Sequence, residues 1–190
     1  MLPVRPTSPC HAVQRRRFLA GGLGVAGGLL AGGLLPGPGH AATAPRHLVL
    51  LRPDADDRIE VQYWDGVAYD LTGLGQLDWF MRDRREQASR VIDTQLYELL
   101  HRIQRLVGGR PLHLTSGFRT RKTNEMLRRR SQDVARRSYH IRGMAADLQI
   151  PGYSPRRLVE VAQAAESGGI GRYDSFIHCD CGPQRFWTGS

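Results

Sequence analysis

The spacing of apolar residues changes character several times along the chain. From Phe18 to Leu35 the sequence is apolar and glycine-rich and carries no charge. His47–Leu51 is a short apolar run, and Arg58–Trp64 alternates, placing Ile59, Val61 and Tyr63 on one face as a half-buried strand does. Asp65-Gly66 predicts a hairpin turn into Val67–Leu71. Leu74–Met81 reads as a short helix or ordered turn with Leu77, Trp79 and Phe80 inward, and Asp83–Ser89 as a polar, exposed stretch. The clearest helix is Val91–Val107, where Ile92, Leu96, Leu99/Leu100, Ile103 and Leu106/Val107 make one apolar stripe. Gly108-Gly109 follows it as a C-cap.

Beyond Pro111 the pattern predicts a strand at Leu112–Ser116, a turn at Gly117 and a helix around Thr123–Arg130. Ser131–Arg137 is a polar connection and Ala145–Ile150 a buried strand. Ser154-Pro155 supplies an N-cap and a first-turn proline for a helix that buries Leu158, Val159, Val161, Ala162 and Ala165. Gly168-Gly169 closes that helix, and Ser175–Cys179 is the last predicted strand. Strands with interspersed helices and no internal repeat indicate a single α+β domain.

Composition refines this picture. The 190 residues carry 27 Lys+Arg against 18 Asp+Glu, a formal charge of +9, with 41% hydrophobic and 24% charged residues. Those fractions exclude wholesale disorder and a polytopic membrane protein. The charge is uneven: residues 1–41 hold four arginines (Arg5, Arg15, Arg16, Arg17) and no acid. A basic start, an apolar stretch and small residues at its end make a secretory signal, and Arg15-Arg16-Arg17-Phe18-Leu19 fits the twin-arginine pattern. The stretch is too rich in glycine for a lasting membrane anchor, which needs roughly 20 predominantly apolar residues. Cleavage is expected after Ala41 or Ala44, and the twin-arginine translocation machinery is the expected export partner. Cutting after Ala41 leaves 149 residues at +5 and removes Cys10. Cys179 and Cys181, two apart on an extended strand, lie beyond disulfide reach and are expected unpaired.

One set of residues points to chemistry. His140 precedes the buried strand that contains Asp147, and His178 lies in the last strand. Two imidazoles and a carboxylate leave an open position on a zinc ion, the arrangement catalytic zinc requires. Asp147, flanked by Ala145-Ala146 and Leu148, must be ion-paired, hydrogen-bonded or metal-bound if buried. His47, His101 and His113 have no matching partners, and Cys179 and Cys181 fall on the strand face opposite His178.

Three stretches in fixed order, Ser116-Gly117-Phe118-Arg119-Thr120, Ser138-Tyr139-His140-Ile141-Arg142-Gly143-Met144-Ala145-Ala146-Asp147 and Phe176-Ile177-His178-Cys179-Asp180-Cys181-Gly182-Pro183, carry a resemblance. They resemble the zinc peptidases related to D-alanyl-D-alanine carboxypeptidases, VanX/VanY dipeptidases and the hedgehog amino-terminal domain. Gly168-Gly169-Ile170-Gly171 and Trp187 narrow the likeness to the YcbK-like (MepK-like) branch, linked to murein endopeptidases. The likeness covers residues 110–187 within a domain spanning 45–190. It implies a small, mainly antiparallel sheet flanked by helices, and zinc ligands His140, Asp147 and His178. Arg119 would stabilise the oxyanion and bind substrate, and Ser138 would hydrogen-bond substrate or cap a turn.

The general base departs from the better-known relatives, which place Glu or Asp three residues before the last ligand, where this chain has Ser175. Strand parity puts Asp174, Phe176, His178 and Asp180 on one face. Asp180 is the first choice of base, with orientation of a ligand histidine as its other reading, and Asp174 is the second choice. Arg128-Arg129-Arg130 and Arg136-Arg137 frame the loop ahead of the site, either as a solvated face or as an attraction to an anionic wall polymer. No nucleic-acid-binding fold accompanies them. The sequence thus predicts a periplasmic, cell-envelope zinc murein endopeptidase, monomeric, with peptidoglycan as its substrate. The alternatives are a D,D-carboxypeptidase of the same fold and a non-catalytic peptidoglycan-binding module.

Overall fold

The computed structural model describes residues 43–189. The expected export signal and the cleavage point after Ala41 lie outside the described residues. The strands are β1 (Arg46–Arg52), β2 (Asp57–Trp64), β3 (Leu112–Ser116), β4 (Ala145–Gln149), β5 (Gly169–Arg172), β6 (Ile177–Asp180) and β7 (Arg185–Thr188). The helices are α1 (Leu71–Phe80), α2 (Thr94–Leu106), α3 (Arg121–Arg128), α4 (Tyr139–Arg142) and α5 (Pro155–Ala164). All seven strands join one sheet in the order β2-β1-β3-β4-β6-β5-β7. Its pairs are antiparallel except β1–β3 and β5–β7, so the fold is α+β with a mainly antiparallel mixed sheet, as expected. No described helix is long and apolar enough to cross a membrane.

Alternation along the central strands separates two faces. Ala146 and Leu148 of β4, Ile170 of β5, and Ile177 and Cys179 of β6 enter the core with Leu96, Leu100 and Ile103 of α2 and Leu158 and Ala162 of α5. The intervening residues therefore project from the opposite face. Side chains fix α2 and α5 at their starts: Asp93 accepts from Gln95 N at α2, and Ser154 accepts from Arg157 N at α5, just before Pro155. Gln104 of α2, buried, exchanges both amide hydrogen bonds with Val49 and so joins helix to sheet. Neither Cys179 nor Cys181 is in a disulfide among the described residues.

Several local expectations need correction. The hairpin turn expected at Asp65-Gly66 forms, with Asp65 N bonded to the Ala68 carbonyl and Trp64 bridged antiparallel to Tyr69, but the return stops at that single bridge instead of running on as a strand, because Asp70 caps α1. Trp79 is 53% exposed under the Arg82 guanidinium, and Leu106 is 51% exposed. α4 and β7 escape the hydrophobic pattern because each has four residues, too few to show a period. Asp83, expected in an exposed stretch, is buried. One of its oxygens accepts from Thr120 N (2.8 Å) and Thr120 Oγ1 (2.9 Å), the other from Arg85 N (3.1 Å). It thereby ties the turn after α1 to the loop before α3.

Burial alone would raise the Asp83 pKa, but hydroxyls of Thr123 and Thr120 and backbone N–H groups outweigh it and lower the value. A carboxylate with a depressed folded pKa stabilises above its unfolded pKa, and that contribution is lost as pH falls through the folded value. Asp83→Asn is expected to reduce unfolding free energy by about 1–3 kcal/mol at pH 7. Urea titrations should show the gap narrowing as the pH falls below 3.8, and an equal gap at pH 7 and pH 3 contradicts the account.

Candidate metal centre and active site

Sheet register assembles the site. Ser116, Asp147, His178, Gly171 and Trp187 are successive neighbours across β3, β4, β6, β5 and β7, one row running perpendicular to the strands. Two residues along, Ala145, Asp180, Gly169 and Arg185 form a parallel row on the same face. His140 comes from α4, whose N-cap Ser138 accepts from His140 N and whose end is turned by Gly143 at φ 69.

His140, Asp147 and His178, all buried, converge. His140 Nε2 lies 3.0 Å from Asp147 Oδ1 and 3.1 Å from His178 Nδ1, which is itself 2.9 Å from Asp147 Oδ1. The outer ring nitrogens are occupied: His140 Nδ1 is 2.7 Å from the Gly117 carbonyl, and His178 Nε2 is 2.9 Å from Asp180 Oδ2. With each outer nitrogen protonated to donate, each inner nitrogen presents a lone pair beside the carboxylate oxygen. Three lone-pair donors facing one another in a buried space suit a divalent cation, so the donor set fits a metal.

The surroundings set the charges. Burial, followed by the Arg119 charge, brings the His140 pKa down to about 4, leaving a neutral ring at pH 7. Burial opposes the His178 imidazolium too, but hydrogen bonds to Asp147 and Asp180 outweigh it and raise that pKa. Burial would raise Asp147, yet His140 and Arg119 hold its carboxyl well below the usual carboxylate range.

Arg119 donates from Nη2 to Asp147 Oδ2 and from Nε to Ser116 Oγ at 2.8 Å, while Nη1 makes no hydrogen bond among the described residues. Ser138 is buried and its hydroxyl both caps α4 and lines the cavity. Asp180 differs from the expected base. Its carboxylate is fully buried behind His178, where it accepts from that ring, Gly169 N (3.0 Å), Gly182 N (2.8 Å) and the Arg185 guanidinium. No lone pair is directed at the cavity, so the geometry fits its other reading, orientation of His178. Asp174 is exposed and does not line the cavity either.

The cavity measures about 410 Å³. It is lined by the segment between α3 and α4, with Asp133, Val134 and Arg137, and by Tyr173, Phe176 and Trp187. Sequence reasoning missed Gly117, Tyr173 and Arg185. Gly117 is required because a Cβ there would stand 2.5 Å from the Met81 carbonyl, a contact invisible without the fold. Of the basic clusters, Arg137 reaches the cavity wall and Arg128 pairs with Glu125 on the surface. His101 bonds the His47 carbonyl far from the site.

The Peptidase_M15_2 family, described as peptidoglycan L,D-endopeptidase MepK, matches residues 40–187. The chain belongs to this family. It is 38% identical over 180 residues to peptidoglycan L,D-endopeptidase MepK of Escherichia coli strain K12, covering 92% of this chain and 97% of that protein. It is 34% identical over 149 residues to the probable peptidoglycan L,D-endopeptidase MepK of Haemophilus influenzae, covering 76% and 80% respectively.

The two β5 glycines allow the rows to close. A Cβ on Gly171 would stand 2.6–2.7 Å from the Trp187 indole, and one on Gly169 would stand 2.4 Å from Asp180 Oδ2 and 2.6 Å from Arg185 Nη1. Gly171→Ala is expected to unseat Trp187 and destabilise by about 1–3 kcal/mol. Gly169→Ala should disturb the Asp180–Arg185 pair while leaving the indole in place. Near-UV circular dichroism separates the two outcomes, and a wild-type tryptophan signal in Gly171→Ala contradicts the assignment.

Proposed function

We propose that this chain is an exported, zinc-dependent murein endopeptidase that hydrolyses peptide cross-links of peptidoglycan as a monomer in the periplasm. The observation that carries the reading is the convergence of three buried lone-pair donors beside a guanidinium at the floor of an open cavity. The L,D-endopeptidase activity named for the relatives makes a cross-link the preferred substrate over a terminal D-alanine.

His140, Asp147 and His178 would hold the zinc, two borderline nitrogen donors and one carboxylate that together favour this ion. Bound there, zinc supplies Lewis acidity, which polarises a peptide carbonyl and acidifies water. Arg119, held at Nε and Nη2, has Nη1 available for the carbonyl oxygen as it gains negative charge. Ser138 can donate its hydroxyl proton to substrate while its oxygen caps α4. Asp180 positions His178 through the outer ring nitrogen, and Arg185 holds Asp180.

Purified protein incubated with isolated peptidoglycan should release cross-link cleavage products that disappear with a chelator and return with zinc. Release of D-alanine alone would instead indicate a carboxypeptidase, and wall binding without products a non-catalytic module. Asp180→Asn is expected to weaken metal affinity about 10–100-fold, measured by competition with a chromophoric chelator. Unchanged affinity contradicts the positioning role.

Residues 1–41 are the proposed twin-arginine signal, with residues 45–190 the peptidase domain. Terminal sequencing of the periplasmic protein should begin at Ala42 or Pro45. Replacing Arg15 and Arg16 with Lys should hold it in the cytoplasm uncut, and normal export of that variant contradicts the twin-arginine route.

A further inference from the structure

Peptide hydrolysis needs hydrogen-bond donors where the carbonyl oxygen takes up charge, and the cavity offers more than Arg119. Two phenols line it, Tyr139 and Tyr173. Tyr139 is committed elsewhere: its ring meets the guanidiniums of Arg142 (4.8 Å) and Arg185 (4.7 Å), and its hydroxyl packs against Gly182. Tyr173 is held differently. Its ring stacks on Phe176 with centroids 4.4 Å apart and planes at 11°. Its oxygen accepts from the Trp187 indole N–H at 3.1 Å, and the Trp187 ring lies 5.2 Å from the His178 ring.

The direction of that bond is fixed by chemistry. Indole nitrogen only donates, so the phenol must accept and keep its own O–H to give away. That proton has no acceptor among the described residues. Burial, joined by the Asp147 and Asp133 charges, raises the phenol pKa against the Trp187 hydrogen bond and the Arg119 charge, which keeps the proton in place at neutral pH.

We propose that Tyr173 is a catalytic residue of this site, its O–H donating a hydrogen bond to the carbonyl oxygen of the scissile peptide and holding that oxygen as it becomes an oxyanion. Trp187 is the positioning residue that orients the phenol, and Gly171 gives Trp187 its seat. The inference rests on the endopeptidase reading.

Tyr173→Phe keeps the ring and its stack and removes only the donor. Its kcat on cross-linked muropeptides is expected to fall about 10²–10³-fold with KM nearly unchanged. Affinity for a phosphinate analogue of the cross-link, tetrahedral and anionic, should fall by a similar factor, while product affinity and zinc content stay at wild-type values. A merely structural tyrosine would not weaken the phosphinate selectively. Wild-type kcat and phosphinate affinity in Tyr173→Phe overturn the proposal while the endopeptidase reading stands. A wild-type protein that neither cleaves cross-links nor binds the phosphinate overturns that reading and this inference with it. Should Tyr173→Phe fail to give a cooperative melt, Trp187→Phe decides: a clear kcat loss at constant KM supports the oriented phenol, and unchanged kcat overturns it.

Discussion

A buried carboxylate on a central strand constrains everything around it. Asp147 sits in β4 between strands that cover both its edges, with almost no access to water. An ion in that position loses several kcal/mol of hydration, so its oxygens must be met by cations or strong donors. The fold meets them from three directions: His178 directly across the strand pair, His140 from α4, and Arg119 from the loop after β3. Each partner is fixed from behind in turn. Gly117 holds His140, Asp180 holds His178, and Ser116 holds Arg119. The result is a ring of outward-anchored groups whose free donor atoms have only the centre left to occupy.

The outer anchors depend on absent side chains as much as on present ones. Asp180 and Arg185 meet across β5, and so do His178 and Trp187, because the intervening β5 residues in the two rows are Gly169 and Gly171. Any Cβ at either position would occupy the contact itself. Ile170 between them points the other way into the core. The four-residue strand therefore does two jobs by alternation: its one core residue, Ile170, supports the sheet, and its two glycines let the neighbouring strands touch over it.

This also explains what the sequence could and could not convey. α2, β3 and α5 were legible because their apolar periods, caps and prolines are written in consecutive residues. Asp147 was conspicuous as a carboxylate in an apolar run, and parity correctly put His178 and Asp180 on one face and Cys179 on the other. Parity stops there, since it describes one strand and not its neighbours. What occupies the Asp180 carboxylate on the side away from the cavity is Arg185 and two backbone N–H groups, brought by pairings that no local pattern reveals. The same limit hid Asp83, which reads as one more acid in a polar stretch until Thr120 arrives 37 residues later. Tyr173 stayed hidden because its meaning lies in an indole from a strand too short to recognise.

The division of labour within the cavity follows from the same architecture. The convergent donors sit on strands and a capped turn whose reverse side is packed into the core, which gives them fixed geometry. The part of the lining from Ser131 to Arg137 is a connection between α3 and α4, tethered at Ala135 by the buried amide of Asn124 at 3.1 Å. Loops tolerate sequence change better than the elements they join. Substitutions in that wall can therefore reshape what enters the cavity without disturbing the ring around Asp147. Substitutions at Ser116, Gly169, Gly171, His178, Asp180 or Arg185 on the sheet face cannot, because each of these holds or seats a neighbour in the two rows. On the proposed reading, reaction type therefore belongs to the register of β4, β6, β5 and β7, and substrate choice to the Ser131–Arg137 connection that the register does not touch.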